Sequence, residues 1–379
     1  MKFGTKAIHA GLEPDPSTGA IMTPIFQTST YVQESPGKNK GYGYARGKNP
    51  TRVALEKNIA ALEEGNHAIC FSSGMGATDA VIKMLRPGDE VITGDDLYGG
   101  SYRMFTKIFE PYGIKFHFIN MTNAENIRKY ISDKTKLIWI ETPTNPTMQI
   151  VDIEACSKIA KEHQLLLAVD NTFASPYLQN PLLLGADIVM HSVTKYLGGH
   201  SDVVMGALIV NDDKLHEQLY FILNSCGANP GPMDCFLVLR GIKTLHLRME
   251  RHCYNGRKIA EFLKTHPRIE KIYWPGFEDH PNHDIAKKQM RDFGGMISIV
   301  LKDATLEETF RIASSFQVFS LAESLGGVES LINHPVTMTH ASIPKAERDR
   351  VGVVDNLLRL SVGVEDVEDL IEDLKQALA

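Results

Sequence analysis

ADIVMHSVTKYLGGHSDVVMGALIV, Ala186 to Val210, is the stretch that decides how this chain is read. An apolar run of strand type, Ala186 to Met190, meets a polar turn. His191, Ser192, Thr194 and Lys195 crowd together there, and Gly198, Gly199, His200 and Ser201 follow before a second apolar run. Two readings of Lys195 stand at this point. It is a solvated turn lysine, as most lysines are, or a partly buried amine. Burial disfavours the ammonium form and lowers its pKa, which makes the amine a nucleophile able to condense with a carbonyl. Ser192 and Thr194 then offer hydroxyl donors to an anion beside it.

Upstream, helical and strand-like segments alternate. Arg52–Glu64 is helical, His67–Phe71 a strand, and Ala77–Leu85 a helix ended by Pro87–Gly88. Strands follow at Glu90–Thr93, Ile114–Ile119, Leu137–Glu141 and Leu165–Val169. Helices at Tyr98–Phe109, Ala124–Ile131 and Ile153–His163 separate them. This alternation predicts βαβ units and a mostly parallel sheet. Active groups then belong at the carboxyl ends of the strands. Distinctive residues fall at those ends: Ser72–Gly76, Tyr98, Asn145, Asp170–Thr172 and Ser192–Lys195. The Ser73–Gly74–Met75 turn can cap a helix or bind phosphate at a helix N-terminus. Asp170 follows the apolar LLLAV, so it is expected to be buried and to need a partner. A protonated ring nitrogen or its own turn, through Asn171 and Thr172, would serve.

Residues 1–50 are rich in Gly, Pro, Ser and Thr and show no sustained period. Their aromatic and apolar side chains predict an arm packed on something larger. GYGYARGKNPTR, Gly41–Arg52, sets two tyrosines and two arginines among glycines, which suits anion recognition or a solvated loop. From Pro232 to Lys264 one or two helices lead to a second domain. There Pro267–Pro281 looks like a loop, Gly294–Leu301 and Phe316–Ser320 like strands, and Leu306–Ser315 like a helix. Arg359 lies within an apolar strand, Leu357–Val362, where it needs a carboxylate, either a substrate's or an internal one. Val367–Leu378 closes the chain as an acidic amphipathic helix.

The 379 residues are 43% hydrophobic and 23% charged, ordinary globular usage. A net charge of −6 with no long basic run argues against nucleic acid and anionic membranes. No apolar run reaches the length of a membrane helix, and no signal peptide is evident. Five scattered cysteines with no C-x-x-C pair predict neither disulfides nor a thiolate metal site, and favour a reducing, cytoplasmic setting. Neither G-x-G-x-x-G nor the P-loop pattern occurs, which weakens dinucleotide and nucleotide-hydrolase readings.

Taken together, TGAIMTPIFQTSTY, YARGKNPTR, SSGMGA, DDLYGGSYR, ETPTNPT, VDNTFASPYLQNPLLLGADIV, HSVTKYLGGHSD, RGIKTLHLRM, SLGGVESL and LRLSVGVED resemble the pyridoxal-phosphate (PLP) enzymes of transsulfuration. That family holds cystathionine gamma-lyases, gamma-synthases and beta-lyases and methionine gamma-lyases. The resemblance implies an α/β fold of the PLP-dependent fold type I, aspartate-aminotransferase-like, with a mostly parallel seven-stranded central sheet. It divides the chain into an arm contacting a neighbouring subunit, 1–50, a large cofactor-binding domain, 51–246, and a smaller α+β domain, 247–379. It also implies a cytoplasmic homotetramer of dimers with shared active sites.

Carried over by motif, Lys195 would bind the cofactor as a Schiff base. Asp170 would pair with the pyridine nitrogen, and Asn145 and Thr172 would steady the ring. Tyr98 would stack on it and move protons. Gly74, Met75, Ser192 and Thr194 would bind the phosphate, with Tyr44 and Arg46 of an adjacent subunit. Arg359 would bind the substrate α-carboxylate, with Asn145, Ser324 and Glu323 nearby and no metal. Glu323 matches the acidic position of gamma-lyases and gamma-synthases. Gly43 stands where relatives often carry an acid. The implied reaction is gamma-elimination on L-cystathionine, with gamma-synthase next and beta-lyase or methionine gamma-lyase after it. A PLP-binding regulatory protein is the non-enzyme alternative.

Overall fold

The computed structural model describes residues 1–379. Seven strands form the larger sheet: β1 (His67–Phe71), β2 (Glu90–Gly94), β3 (Lys115–Ile119), β4 (Thr135–Glu141), β5 (Leu166–Asp170), β6 (Ile188–Ser192) and β7 (Gly206–Val210). Their order is β1-β7-β6-β5-β4-β2-β3. Strands β2 to β6 run parallel, and β7 lies antiparallel to both β1 and β6. The sheet is therefore mostly parallel, as expected, and mixed only at one edge.

The strands are apolar on both faces because both faces are covered. Along β7, Ala207 and Ile209 join one core with Leu55, Ile59 and Leu62 of the helix Pro50–Leu62. Leu208 and Val210 point the other way, to Leu219 and Leu223 of the helix Asp213–Cys226. Each Leu, Ile or Val among them contributes about 1.5–3 kcal/mol by leaving water. Asn49 caps the helix Pro50–Leu62 by accepting from the Thr51 and Arg52 amides, with Pro50 at its first position.

The second sheet has the order β10-β11-β12-β9-β8. Its strands are β8 (Ile269–Tyr273), β9 (Met296–Leu301), β10 (Ser320–Leu321), β11 (Leu331–Asn333) and β12 (Leu357–Ser361). The helix Leu245–Lys264 joins the two domains. Its Leu245, Met249 and Cys253 enter the large-domain core, and its Ile259, Ala260 and Leu263 the small-domain core.

Four expectations are corrected. The stretch Pro267–Pro281 contains β8, an edge strand whose Glu270 and Lys271 face solvent and give no apolar period. The strand placed at Phe316–Ser320 is only Ser320–Leu321, because the amides of Gln317, Val318 and Phe319 bind the Asp373 carboxylate instead of a ladder. Residues Ala124–Tyr130 form a 3-10 helix. The first fifty residues do contain a helix, Phe3–His9. It buries Ala7 and is tied down by Asn58, whose amide donates to Lys6 O (3.2 Å) and Ala10 O (2.8 Å). Beyond it, residues 11–49 carry no helix or strand, and Ile21, Val32 and Tyr44 stand exposed.

Candidate active site

A cavity of about 340 Å³ opens where β4, β5 and β6 end and the small domain leans over them. Lys195 leaves the turn after β6 and points into it, and its Nζ donates to Ser324 Oγ at 2.6 Å. Burial pushes the amine down to about 8, helped by the nearby Arg359 charge and opposed by Glu323. The solvated-lysine reading is thereby set aside. Ser324 has φ 89°, a left-handed backbone unusual for serine, and such strain concentrates at functional sites.

Asp170 ends β5 and lines the cavity. Its Oδ1 accepts from the Thr172 amide (3.0 Å) and hydroxyl (2.5 Å). Burial raises its carboxyl while these two donors favour the ionised form. Thr172 Oγ1 also accepts from the Ser192 amide at 2.9 Å, so the hydroxyl ties Asp170 to β6. Thr194 lines the cavity too, but its hydroxyl is engaged by Met205, donating to O and accepting from N.

Elsewhere on the cavity wall, Ser73 caps the helix Gly74–Ile82 by accepting from the Gly76 amide. This leaves the Gly74 and Met75 amides at the helix N-terminus, which also lines the cavity. Glycine is required at the crossing strand, since a Cβ on Gly206 would lie 2.2 Å from Ser73 O. Ser192 sits beside Gly74, where a Cβ would come within 3.1 Å of its Oγ.

Arg359, on β12, is 1% exposed. It donates to Asn145 Oδ1 (2.7 Å) and Ser324 O (3.0 Å), and its Nε has no partner. No carboxylate lies within ion-pair distance, so the internal salt bridge considered from sequence is not formed. Burial lowers this guanidinium to about 10. A buried cation with an idle donor at a cavity wall is a receptor for an anion. Tyr98 and Glu323 also line the cavity and are exposed toward its mouth.

Tyr44 and Arg46 lie elsewhere. Arg46 stacks over Tyr44 at 5.4 Å and donates to Asn224, in a separate surface depression. A single chain does not bring them to the cavity. Glu141, by contrast, was passed over in the sequence, yet it lines the cavity and accepts from the Tyr98 amide at 3.0 Å. Its place level with Asp170 at the end of β5 is set by strand register, which no local sequence pattern shows.

These groups fit pyridoxal phosphate. The helix N-terminus with Ser192 suits its phosphate, the Asp170 carboxylate its ring nitrogen, and the depressed Lys195 amine its aldehyde. The Cys/Met metabolism PLP-dependent enzyme family matches residues 4–379. The chain is 52% identical over 376 residues to a cystathionine beta-lyase of Coxiella burnetii, covering 99% of this chain and 97% of that protein. It is 50% identical over 376 residues to a cystathionine gamma-synthase of Mycobacterium tuberculosis, covering 99% and 96%. A crystal structure of cystathionine gamma-lyase from Lactobacillus plantarum, complexed with L-serine, superposes with a TM-score of 0.97 at 44% identity, covering 100% of this chain and 98% of that one. The chain therefore belongs to the PLP-dependent enzymes of cysteine and methionine metabolism, within the transsulfuration group, and pyridoxal phosphate is its cofactor.

Proposed function

We propose that the enzyme cleaves the Cγ–S bond of L-cystathionine, consuming water and giving L-cysteine, 2-oxobutyrate and ammonia. The observation that carries the substrate is the pairing of a buried, counter-ion-free Arg359 with an exposed Glu323 at one cavity, and the choice of the Cγ–S bond rests on Glu323 matching the acidic position of gamma-lyases and gamma-synthases. Cystathionine is a diamino dicarboxylic acid. Arg359 suits its α-carboxylate and Glu323 its distal ammonium.

Lys195 would hold the cofactor covalently, Asp170 its ring nitrogen, and Gly74, Met75 and Ser192 its phosphate, with Thr194 beside them. Thr172 acts on the ring through Asp170. Asn145 steadies both ring and Arg359. Tyr98 covers the ring from the mouth. Tyr44 and Arg46 reach the phosphate from a second copy, in a cytoplasmic homotetramer, and the exposed apolar residues of the arm support such a contact.

Bound pyridoxal phosphate supplies the electron sink that makes the Cα proton removable. Arg359 would fix the substrate so that Lys195 Nζ, freed when the substrate amine takes its place on the cofactor, removes the Cα proton, passes it on to the cofactor, and is then free to take the Cβ proton. Ser324 Oγ, at 2.6 Å, keeps that amine aimed into the cavity. The Tyr98 hydroxyl would give its proton to the departing sulfur and regain one from solvent before the next turnover.

The test is product identification by mass spectrometry after the purified holoenzyme is incubated with L-cystathionine alone. Cysteine with 2-oxobutyrate is expected. Homocysteine with pyruvate would make the enzyme a beta-lyase, the activity named for the Coxiella burnetii relative. No cleavage, with cystathionine formed from an O-acyl-L-homoserine and cysteine, would make it a gamma-synthase, as the Mycobacterium tuberculosis relative is named.

A further inference from the structure

Tyr98 has a problem of placement. It stands just before a short helix, Gly99–Met104, in a loop of glycines and acids, and its phenol is partly exposed. No hydrogen bond holds its ring. What is held is its backbone. The Tyr98 amide donates to Glu141 Oε2 at 3.0 Å, from the loop after β2 to the end of β4. A second carboxylate runs the other way. Asp96, in the loop after β2, accepts from the hydroxyls of Thr144 and Thr147 in the turn after β4. Asp96 and Glu141 are 3% and 7% exposed. The Thr144 and Thr147 hydroxyls are braced in turn by Gln149, through its amide (2.8 Å) and its side chain (3.1 Å). Asn145, which positions Arg359, lies within the same turn.

We infer that Asp96 and Glu141 form a reciprocal clasp between the two loops, and that Glu141 is the positioning residue that sets Tyr98 over the cofactor. Each loop contributes an acid and receives an acid, so the loops cannot slide past each other without exposing a buried carboxyl to no donor. Such a loss costs the full desolvation of the group. Both carboxyls are held up by burial, Asp96 to about 6 and Glu141 well above the usual carboxylate range, where the Asp170 charge adds to it. The Tyr98 amide needs only an oxygen acceptor at that point, which the carbonyl oxygen of a glutamine also supplies. Glutamine can therefore replace Glu141 in the clasp, and alanine cannot.

The inference rests on the reading that Tyr98 stacks on the cofactor. The experiment compares Tyr98→Ala, Glu141→Ala and Glu141→Gln by the dissociation constant for pyridoxal phosphate and by circular dichroism in the cofactor's visible band. Urea unfolding of the apo proteins serves as the stability control. Glu141→Ala is expected to weaken cofactor binding about tenfold and to reduce the visible dichroism in the same sense as Tyr98→Ala. Glu141→Gln is expected to restore both to within about threefold of the parent. A Glu141→Ala protein with unchanged dichroism and affinity, while Tyr98→Ala loses both, would overturn the clasp and leave the stacking reading standing. Glutamine as damaging as alanine would also overturn it. If Tyr98→Ala itself changes neither readout, the stacking reading is what fails. Should Glu141→Ala not fold, the pair Thr144→Val and Thr147→Val unmoors the loop from the Asp96 side. It must then lower the dichroism as well.

Discussion

The cavity wall at the ends of β4, β5 and β6 and the wall made by Glu323, Ser324 and β12 hold their polar groups differently. In the first, nearly every group is tied within the wall. Thr172 holds Asp170 and is itself held by Ser192, and Thr194 is closed on Met205. In the second, Ser324 is strained, Arg359 keeps an idle Nε, and Glu323 reaches into solvent. The first wall suits a resident group that never leaves, where every donor can be committed in advance. The second suits a ligand that comes and goes, and Arg359 Nε stays open there between turnovers.

Mutations in the two walls should therefore fail in different ways. The largest effect is expected from Lys195→Ala, which should lower kcat by about a thousandfold or more for every amino-acid substrate and alter the cofactor's visible absorbance. Turnover within tenfold of the parent would break the comparison at its strongest point. Arg359→Ala should come next. It loses charge-assisted bonds worth about 1.5–3 kcal/mol, so kcat/KM should fall about ten- to a hundredfold, while the resting enzyme's absorbance stays that of the parent. A changed resting spectrum would mean that Arg359 serves the cofactor too. Glu323→Gln should be mildest, because its carboxylate is exposed and screened. A rise in KM of about three- to tenfold for cystathionine is expected, with none for a homoserine ester that lacks the distal ammonium. Equal loss for both substrates would remove Glu323 from substrate selection.

The sequence made the first wall far more legible than the second. Strands β2, β4, β5 and β9 were located within two residues, because an apolar run bounded by polar residues and turns survives any packing context. Asp170 and Lys195 were readable as residues out of place at the ends of such runs. Glu141 was not, since its meaning lies in the register that sets it beside Asp170, and register is a property of two strands. The Lys195–Ser324 contact joins residues 129 apart, and no local pattern encodes it. Without the resemblance, Ser324 would have been a serine in a glycine turn. Strand β8 was hidden for a related reason: at a sheet edge, half-exposed IEKIY offers no clean alternation.

The antiparallel insertion of β7 carries a consequence for biosynthesis. His67 pairs with Val210, so β1 waits for a partner made much later, between itself and β6. At about 5–20 residues per second, the delay is on the order of ten seconds. Until then the apolar segment HAICF travels as an unpaired edge, and Ser73 has no Gly206 to pack against. A nascent chain stopped short of β7 can hold both the Lys195 turn and the Ser73 turn in its sequence and still lack the strand that sets one beside the other. The pairing of the two turns therefore waits on residues 206–210, however early each turn is made.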